Sequence, residues 1–178
     1  MIKINSNIYL RQIDENDMQY LMELRNNSWV KQWFFSDVSI TMESQKKWYK
    51  QYQANDKDIL YLIMSDMQEK IGTVGIGDID SVNKSVEFGR FVIPDEKWQG
   101  RGVGRQVVKR IMKYCFEEMY INRISLEAFE DNHRAVHLYS SCGFVSEGIL
   151  REKVIKENRY RNLVLMAALR NNYENIAD

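Results

Sequence analysis

The stretch from Phe91 to Met119 constrains the fold more than any other part of the chain. A β-type run, Phe91-Val92-Ile93, is stopped by Pro94, which brings no amide to a ladder and fixes φ. Then Gln99-Gly100-Arg101-Gly102-Val103-Gly104 places three glycines at alternate positions. From there Val103, Val107, Val108, Ile111, Met112, Cys115, Phe116 and Met119 recur three and four apart, opposite Arg105, Lys109, Arg110 and Lys113; this is the period of an amphipathic helix. A strand, a glycine turn and a helix start therefore follow one another. Unpaired amides at a helix amino terminus point at an anion, and glycines let it approach the main chain. A pyrophosphate suits such a turn; the alternative is a plain tight connection. With no GK[ST] ending and no opening βαβ unit, neither a Walker loop nor a dinucleotide fingerprint is present.

The rest of the sequence supplies alternating element types. Ile8 and Leu10 mark a strand, and Asp14 starts a helix carrying Met18, Leu21, Met22 and Leu24 that ends near Arg25-Asn26-Asn27. After the aromatic stretch Trp29 to Phe35, Thr41-Met42-Glu43-Ser44 reads as a cap for a helix with Trp48, Tyr49 and Tyr52. Strands are predicted over Ile59 to Met64, Lys70 to Ile79 and Lys84 to Ile93, with turns at Asp66 to Glu69 and Asp80 to Asn83. The Gly102 to Met119 helix follows, then a strand at Ile124 to Ala128, a helix at Asn132 to Ser141, and strands at Gly143 to Ile149 and Arg159 to Leu169. The order βααβββαβαββ calls for an α/β (α+β) fold, a mixed sheet with helices on its faces. No repeat or linker divides residues 1–178, so one domain is expected.

Composition narrows the function classes. Lys plus Arg and Asp plus Glu each number 25, and zero net charge argues against binding nucleic acid or anionic membrane by bulk charge. The sum hides segregation: Asp95 to Lys113 holds six basic and two acidic residues, Leu150 to Arg161 five and two, and Ala54 to Asp80 two and six. No apolar run reaches bilayer-spanning length and no signal-peptide pattern opens the chain, so a cytoplasmic location is expected. Cys115 and Cys142 form no CxxC pair and are expected as reduced thiols. His133 and His137 lie i, i+4 but lack a third ligand, and no metal is expected.

Two motifs together carry a family resemblance. Gln99 to Gly104 resembles the Q/R-x-x-G-x-G/A signature of the GNAT acyltransferases, and Asn132-His133-Arg134-Ala135-Val136-His137-Leu138-Tyr139-Ser140-Ser141-Cys142-Gly143-Phe144 is similar to their N-x-x-A-x-x-L-Y-x-x-x-G-F run. They stand in the family's order, and the element string fits its fold, a mostly antiparallel twisted sheet flanked by helices. The resemblance implies an acetyl-CoA-dependent N-acetyltransferase. Its pyrophosphate site would be Gln99, Gly100, Arg101, Gly102, Val103 and Gly104, and the pantetheine arm would lie along Phe91, Val92 and Ile93. Asn132 would reach that arm from the far side, and Tyr139 would face the sulfur. Read from the residues alone, Asn132 is also a good N-cap and Tyr139 also a core residue.

Acetyl transfer to an amine needs a neutral nucleophile, an oxyanion contact and a proton for the departing thiolate. Glu87, alternating with apolar positions on the strand expected to present the thioester, is the candidate base; a solvated carboxylate or an ion pair is the alternative. For the acceptor the sequence offers Arg25, Asn26, Trp29, Phe35, Glu87 and Tyr160 as contacts, with Trp33, Phe34 and Trp48 from the same aromatic region and Arg151, Lys153, Lys156, Arg159 and Arg161 near the last turn. Aromatic faces plus arginines favour an anionic, partly planar small-molecule amine, and this region resembles the GNAT branch acting on nucleotide-linked amino sugars. The competing acceptors are the α-amine of ribosomal proteins and a polyamine, the last favoured by Asp14, Glu15, Asp17, Asp37 and Glu43. A coenzyme-binding module without turnover and a nucleic-acid binder using the basic helix face are the readings outside the enzyme class. A monomer or homodimer is expected.

Overall fold

The computed structural model describes residues 1–177. Its strands are β1 (Ile2–Lys3), β2 (Ile8–Gln12), β3 (Ile59–Ser65), β4 (Lys70–Asp80), β5 (Ser85–Val92), β6 (Arg123–Phe129), β7 (Val145–Lys156) and β8 (Arg159–Leu169). Its helices are α1 (Met18–Asn26), α2 (Ser28–Lys31), α3 (Met42–Gln53), α4 (Val103–Lys113), α5 (His133–Ser141) and α6 (Arg170–Ala177). The eight strands make one sheet in the order β1-β2-β3-β4-β5-β6-β8-β7. Every neighbouring pair is antiparallel except β5 with β6.

Three short or polar elements lie outside the order expected from the sequence: β1, with two residues, and α2, with four, are too brief to show a period, and α6 opens on the polar run Arg170-Asn171-Asn172. β7 runs on to Lys156 instead of ending at Ile149. Its residues are exposed on both faces almost throughout, so no alternation of apolar residues marks its length. The long helix bends into a π-helical turn over Tyr114–Glu118, which keeps Cys115 and Phe116 buried before Tyr120 ends it with φ 56°.

β3 explains why helices lie on both sides of the sheet. Leu60, Leu62 and Met64 pack with Ile13, Met18, Leu21 and Tyr52 under α1 and α3, whereas Tyr61 and Ile63 belong to the larger core beneath α4, with Val107, Val108, Ile111 and Met112. The two-residue strand period thus feeds two cores at once. Each such Leu or Ile contributes roughly 1.5–3 kcal/mol by leaving water. At the start of α1, buried Asp17 binds Arg11 of β2 (2.8 Å), Lys70 of β4 (2.9 Å) and the Asp14 amide (2.9 Å), joining two strands to a helix start. Burial alone would raise the Asp17 carboxyl, but those partners outweigh it and hold it below the ordinary carboxylate value.

The β4–β5 pair departs from a regular ladder at two places. Register shifts place Asp78 of β4 and Arg90 of β5 as extra residues, with φ of 45° and 49°. Left-handed backbone at a non-glycine residue is disfavoured by roughly 1–2 kcal/mol, so each must be held from outside. Arg90 is held by an ion pair with Asp58 and by the Thr73 hydroxyl, which donates to its carbonyl at 2.8 Å. Such a bulge bends its strand and increases the local twist.

Candidate active site

The parallel β5–β6 ladder is short. It pairs Ser85 with Arg123, Val86 with Ile124 and Glu87 with Ser125, and then stops. From Phe88 onward β5 has no ladder to β6, which is paired along its whole length only to β8 on its other side. The gap is a cleft of about 740 Å³.

One part of the cleft is built by the glycine turn. Gly100 and Gly102 have φ of 69° and 77°; a Cβ on Gly100 would meet nothing within 4 Å, and one on Gly102 would come no closer than 3.8 Å to a neighbour. The backbone is open there, and the free amides of α4 face the turn. Gln99 ties the turn to both walls: its Nε2 donates to the Ile93 carbonyl (2.8 Å), and its Oε1 accepts from Arg134 of α5 (2.7 Å). Arg105 and Arg134 line the same part, and Arg105 is anchored on the Ser141 carbonyl (3.1 Å). This end is cationic and rich in main-chain donors.

The rest of the lining has a different character. Glu87 and half-buried Glu127 line it, with Trp29, Trp33, Phe34 and Phe35 of α2 and the segment after it. Phe35 meets Phe129, the end of β6, edge to face at 5.3 Å. The Glu87 carboxyl is raised above its ordinary value, first by partial desolvation in the cleft wall, then by the negative charges of Asp78 and Glu127, with Arg90 opposing. The Asp78 bulge therefore acts on Glu87 directly. Sequence reasoning missed Asp78 and Glu127, since a bulge and a cross-strand carboxylate leave no local signal.

Tyr139 is buried on α5, edge-on to Phe88 (5.7 Å) and beside Phe144 (5.9 Å), and it also lines the cleft. Burial drives its phenol well above the free value, and Cys142 adds to this. A phenol so raised keeps its proton. Asn132 caps α5, accepting from the Ala135 amide at 3.2 Å, and this leaves its Nδ2 donor uncommitted at the cleft wall.

The remaining expected residues divide. Phe91, Val92, Ile93, Gln99, Gly100, Gly102, Gly104, Asn132, Tyr139, Trp29, Phe35 and Glu87 all line the cleft. Arg101 is exposed beside the turn and Val103 is buried under it. Arg25, Asn26 and Tyr160 lie outside the lining. Arg25 stacks on Phe34 at 3.8 Å, and Asn26 spends its amide on the main chain of Ile40, donating at 2.7 Å and accepting at 2.8 Å. Tyr160 is 65% exposed at the β7–β8 turn. His133 and His137 are exposed, and no group of three or more His, Cys, Asp or Glu suited to a metal ion occurs among the described residues. Cys115 and Cys142 are unpaired and buried. No helix among the described residues is long and apolar enough to cross a membrane.

The profile of the Acetyltransferase (GNAT) domain family matches residues 7–145. The chain belongs to the GNAT acetyltransferases. Relatives of this GNAT enzyme include the spermidine N(1)-acetyltransferase of Vibrio cholerae, 27% identical with 97% of this chain and 98% of that protein covered, and that of Escherichia coli K12, 25% identical over 93% and 88%. Acetyltransferase PseH of Campylobacter jejuni is 29% identical over 81% of this chain and 85% of its own. Among solved structures, the V. cholerae spermidine N-acetyltransferase in complex with CoA and spermine superimposes with a TM-score of 0.88 at 27% identity, covering 96% of this chain and 99% of that one. The expected sheet, its flanking helices and the N-acetyltransferase activity are those of the family, and acetyl-CoA is the co-substrate. The residues present fit it: open glycine backbone, free helix amides and two arginines suit a pyrophosphate, and the uncommitted edge of β5 suits an amide-bearing arm.

Proposed function

We propose that this acetyltransferase acts on a primary amine of a small polycation of the polyamine class. The observation that carries the reading is that two carboxylates, Glu87 and Glu127, line the cleft together with an aromatic wall of Trp29, Trp33, Phe34 and Phe35. Carboxylates and aromatic faces both attract ammonium groups. Of the basic residues that pointed to an anionic acceptor, Lys156 is buried and Arg161 is paired with Asp131, while Arg151, Lys153 and Arg159 are exposed outside the cleft lining. The likeness to spermidine N-acetyltransferases over nearly the whole chain supports the same class.

In this reading the amides of Gln99 to Gly104 hold the pyrophosphate, with Arg101 and Arg105 nearby, and the β5 main chain from Phe91 to Ile93 with Asn132 Nδ2 holds the pantetheine arm. Bound acetyl-CoA supplies an activated acyl carbon and a thiolate leaving group. Glu87 attracts the ammonium and then takes its proton, directly or through water. Its raised carboxyl makes it a better base than an ordinary glutamate. Tyr139 keeps its proton at Oη and donates a hydrogen bond toward the sulfur.

Thiol release with spermidine, spermine, a UDP-linked amino sugar and ribosomal-protein amino-terminal peptides tests the acceptor. Spermidine or spermine should give the highest kcat/KM; turnover confined to the nucleotide sugar or the peptides overturns the reading. A dodecameric structure is known for the V. cholerae enzyme, so the assembly expected by analogy is larger than a monomer or homodimer, and light scattering measures it.

A further inference from the structure

A buried lysine is rare unless its charge is fully partnered. Lys156, the last residue of β7, is 2% exposed, and its ammonium meets the Lys31 carbonyl at 2.9 Å, the Ser36 carbonyl at 3.4 Å and the Asp37 carboxylate at 2.5 Å. Three acceptors match three ammonium protons. All three belong to residues 31–37, the segment that carries Trp33, Phe34 and Phe35 into the cleft and has no long regular element of its own.

The same hairpin grips the segment twice more. The Glu157 amide donates to Asp37 Oδ2 at 3.1 Å, and Arg161 donates to the Gln32 carbonyl at 3.3 Å while its guanidinium lies 3.7 Å over Phe129 and 5.6 Å from Trp33. The anchor is stiff, because β7 and β8 are joined by Glu157 and Asn158, both left-handed with φ of 50° and 58°, in the manner of a two-residue turn that matches strand twist. The apolar cores under the sheet include neither Lys156 nor Asp37. What the contacts fix is the aromatic wall.

We propose that Lys156 and Asp37 are positioning residues that set acceptor affinity by locking the Trp33–Phe35 wall to the β7–β8 hairpin. This rests on the acceptor binding against that wall, whichever amine it is. The test uses Asp37→Asn, whose site is partly exposed and tolerant, and Lys156→Met, with hydrogen exchange over residues 32–40 and steady-state kinetics using the best amine of the acceptor screen. Faster exchange in that segment, with the acceptor KM raised about tenfold and the acetyl-CoA KM within about twofold, is the expected result. Asp37→Glu should restore most of the acceptor KM. Unchanged exchange in folded Asp37→Asn protein overturns the latch. Equal rises in both KM values, or neither rising, overturn its role in acceptor binding. If the polyamine reading fails, the amine that does turn over serves in the same assay, and exchange reports on the latch without any substrate.

Discussion

Glu87 and Ser125 are the last paired residues of the parallel β5–β6 ladder, and Glu87 already lines the cleft. Glu87 therefore has its backbone fixed by two neighbouring strands, opposite Gly77 on β4 and Ser125 on β6, while its side chain lines the opening. A carboxylate so placed is rigid where it is anchored and available where chemistry is expected.

Glu87→Gln should lower kcat/KM by about 10²-fold or more and remove the acid limb of the pH–rate profile, whose wild-type midpoint should lie above that of an ordinary glutamate. The stability effect has the opposite sign. A carboxyl raised in the folded protein is ionised at a cost, and that cost is present above the folded value and absent below the unfolded one, about 4.3. The variant should therefore melt above wild type at pH 7, and the difference should close as pH falls below about 4. A variant that melts lower at neutral pH contradicts this account.

Tyr139→Phe removes one hydroxyl and keeps the edge-on packing against Phe88 and Phe144. It should lower kcat by about 10²-fold, with the acetyl-CoA KM and melting temperature little changed. Full kcat in the variant removes Tyr139 from the chemistry.

Gly72→Ala tests how the end of β5 is held. A Cβ there would collide with the Val92 carbonyl oxygen, a backbone atom that cannot swing aside. Overpacking of this kind costs about 1–3 kcal/mol, and because Val92 lines the cleft, acetyl-CoA affinity measured by calorimetry should fall with stability.

Asp17→Asn breaks the charged contact that joins β2, α1 and β4 while keeping the shape. With Arg11 and Lys70 each about a third exposed, the loss should be about 2–4 kcal/mol, at or below that of a fully buried pair. The Asp17 carboxyl is depressed, so its contribution is present above the unfolded value near 4 and lost as pH falls through the folded one. The melting-temperature gap between variant and wild type should hold at neutral pH and shrink only in acid.

Much of this molecule was legible from local signals. Val103 to Met119 declared its helix by period, Thr41 and Ser44 form the capping box that their spacing implied, and the glycines of the turn mark where backbone must be open. Arg25, Asn26 and Lys156 show where legibility ended. Each is a polar residue of the kind that binds ligands, yet Arg25 lies on Phe34, Asn26 is spent on Ile40 and Lys156 on the segment from Lys31 to Asp37. Their partners are 9 to 125 residues away in the chain, and no local pattern names such a partner.

The sequence by itself determined the order of elements, the glycine turn before α4 and the family, because these depend on periods and spacings between near neighbours. Tertiary structure alone decided where the sheet opens and which charges face the opening. β5 stops pairing with β6 after Glu87, and three residues on Arg90 adopts a left-handed bulge held by Asp58 and Thr73. Glu127 and Asp78 reach Glu87 because pairing brings three strands side by side. Backbone irregularity and long-range charge pairing are properties of the packed sheet, and they turn a neutral chain into one with a cationic end for phosphate and an acidic, aromatic end beside it.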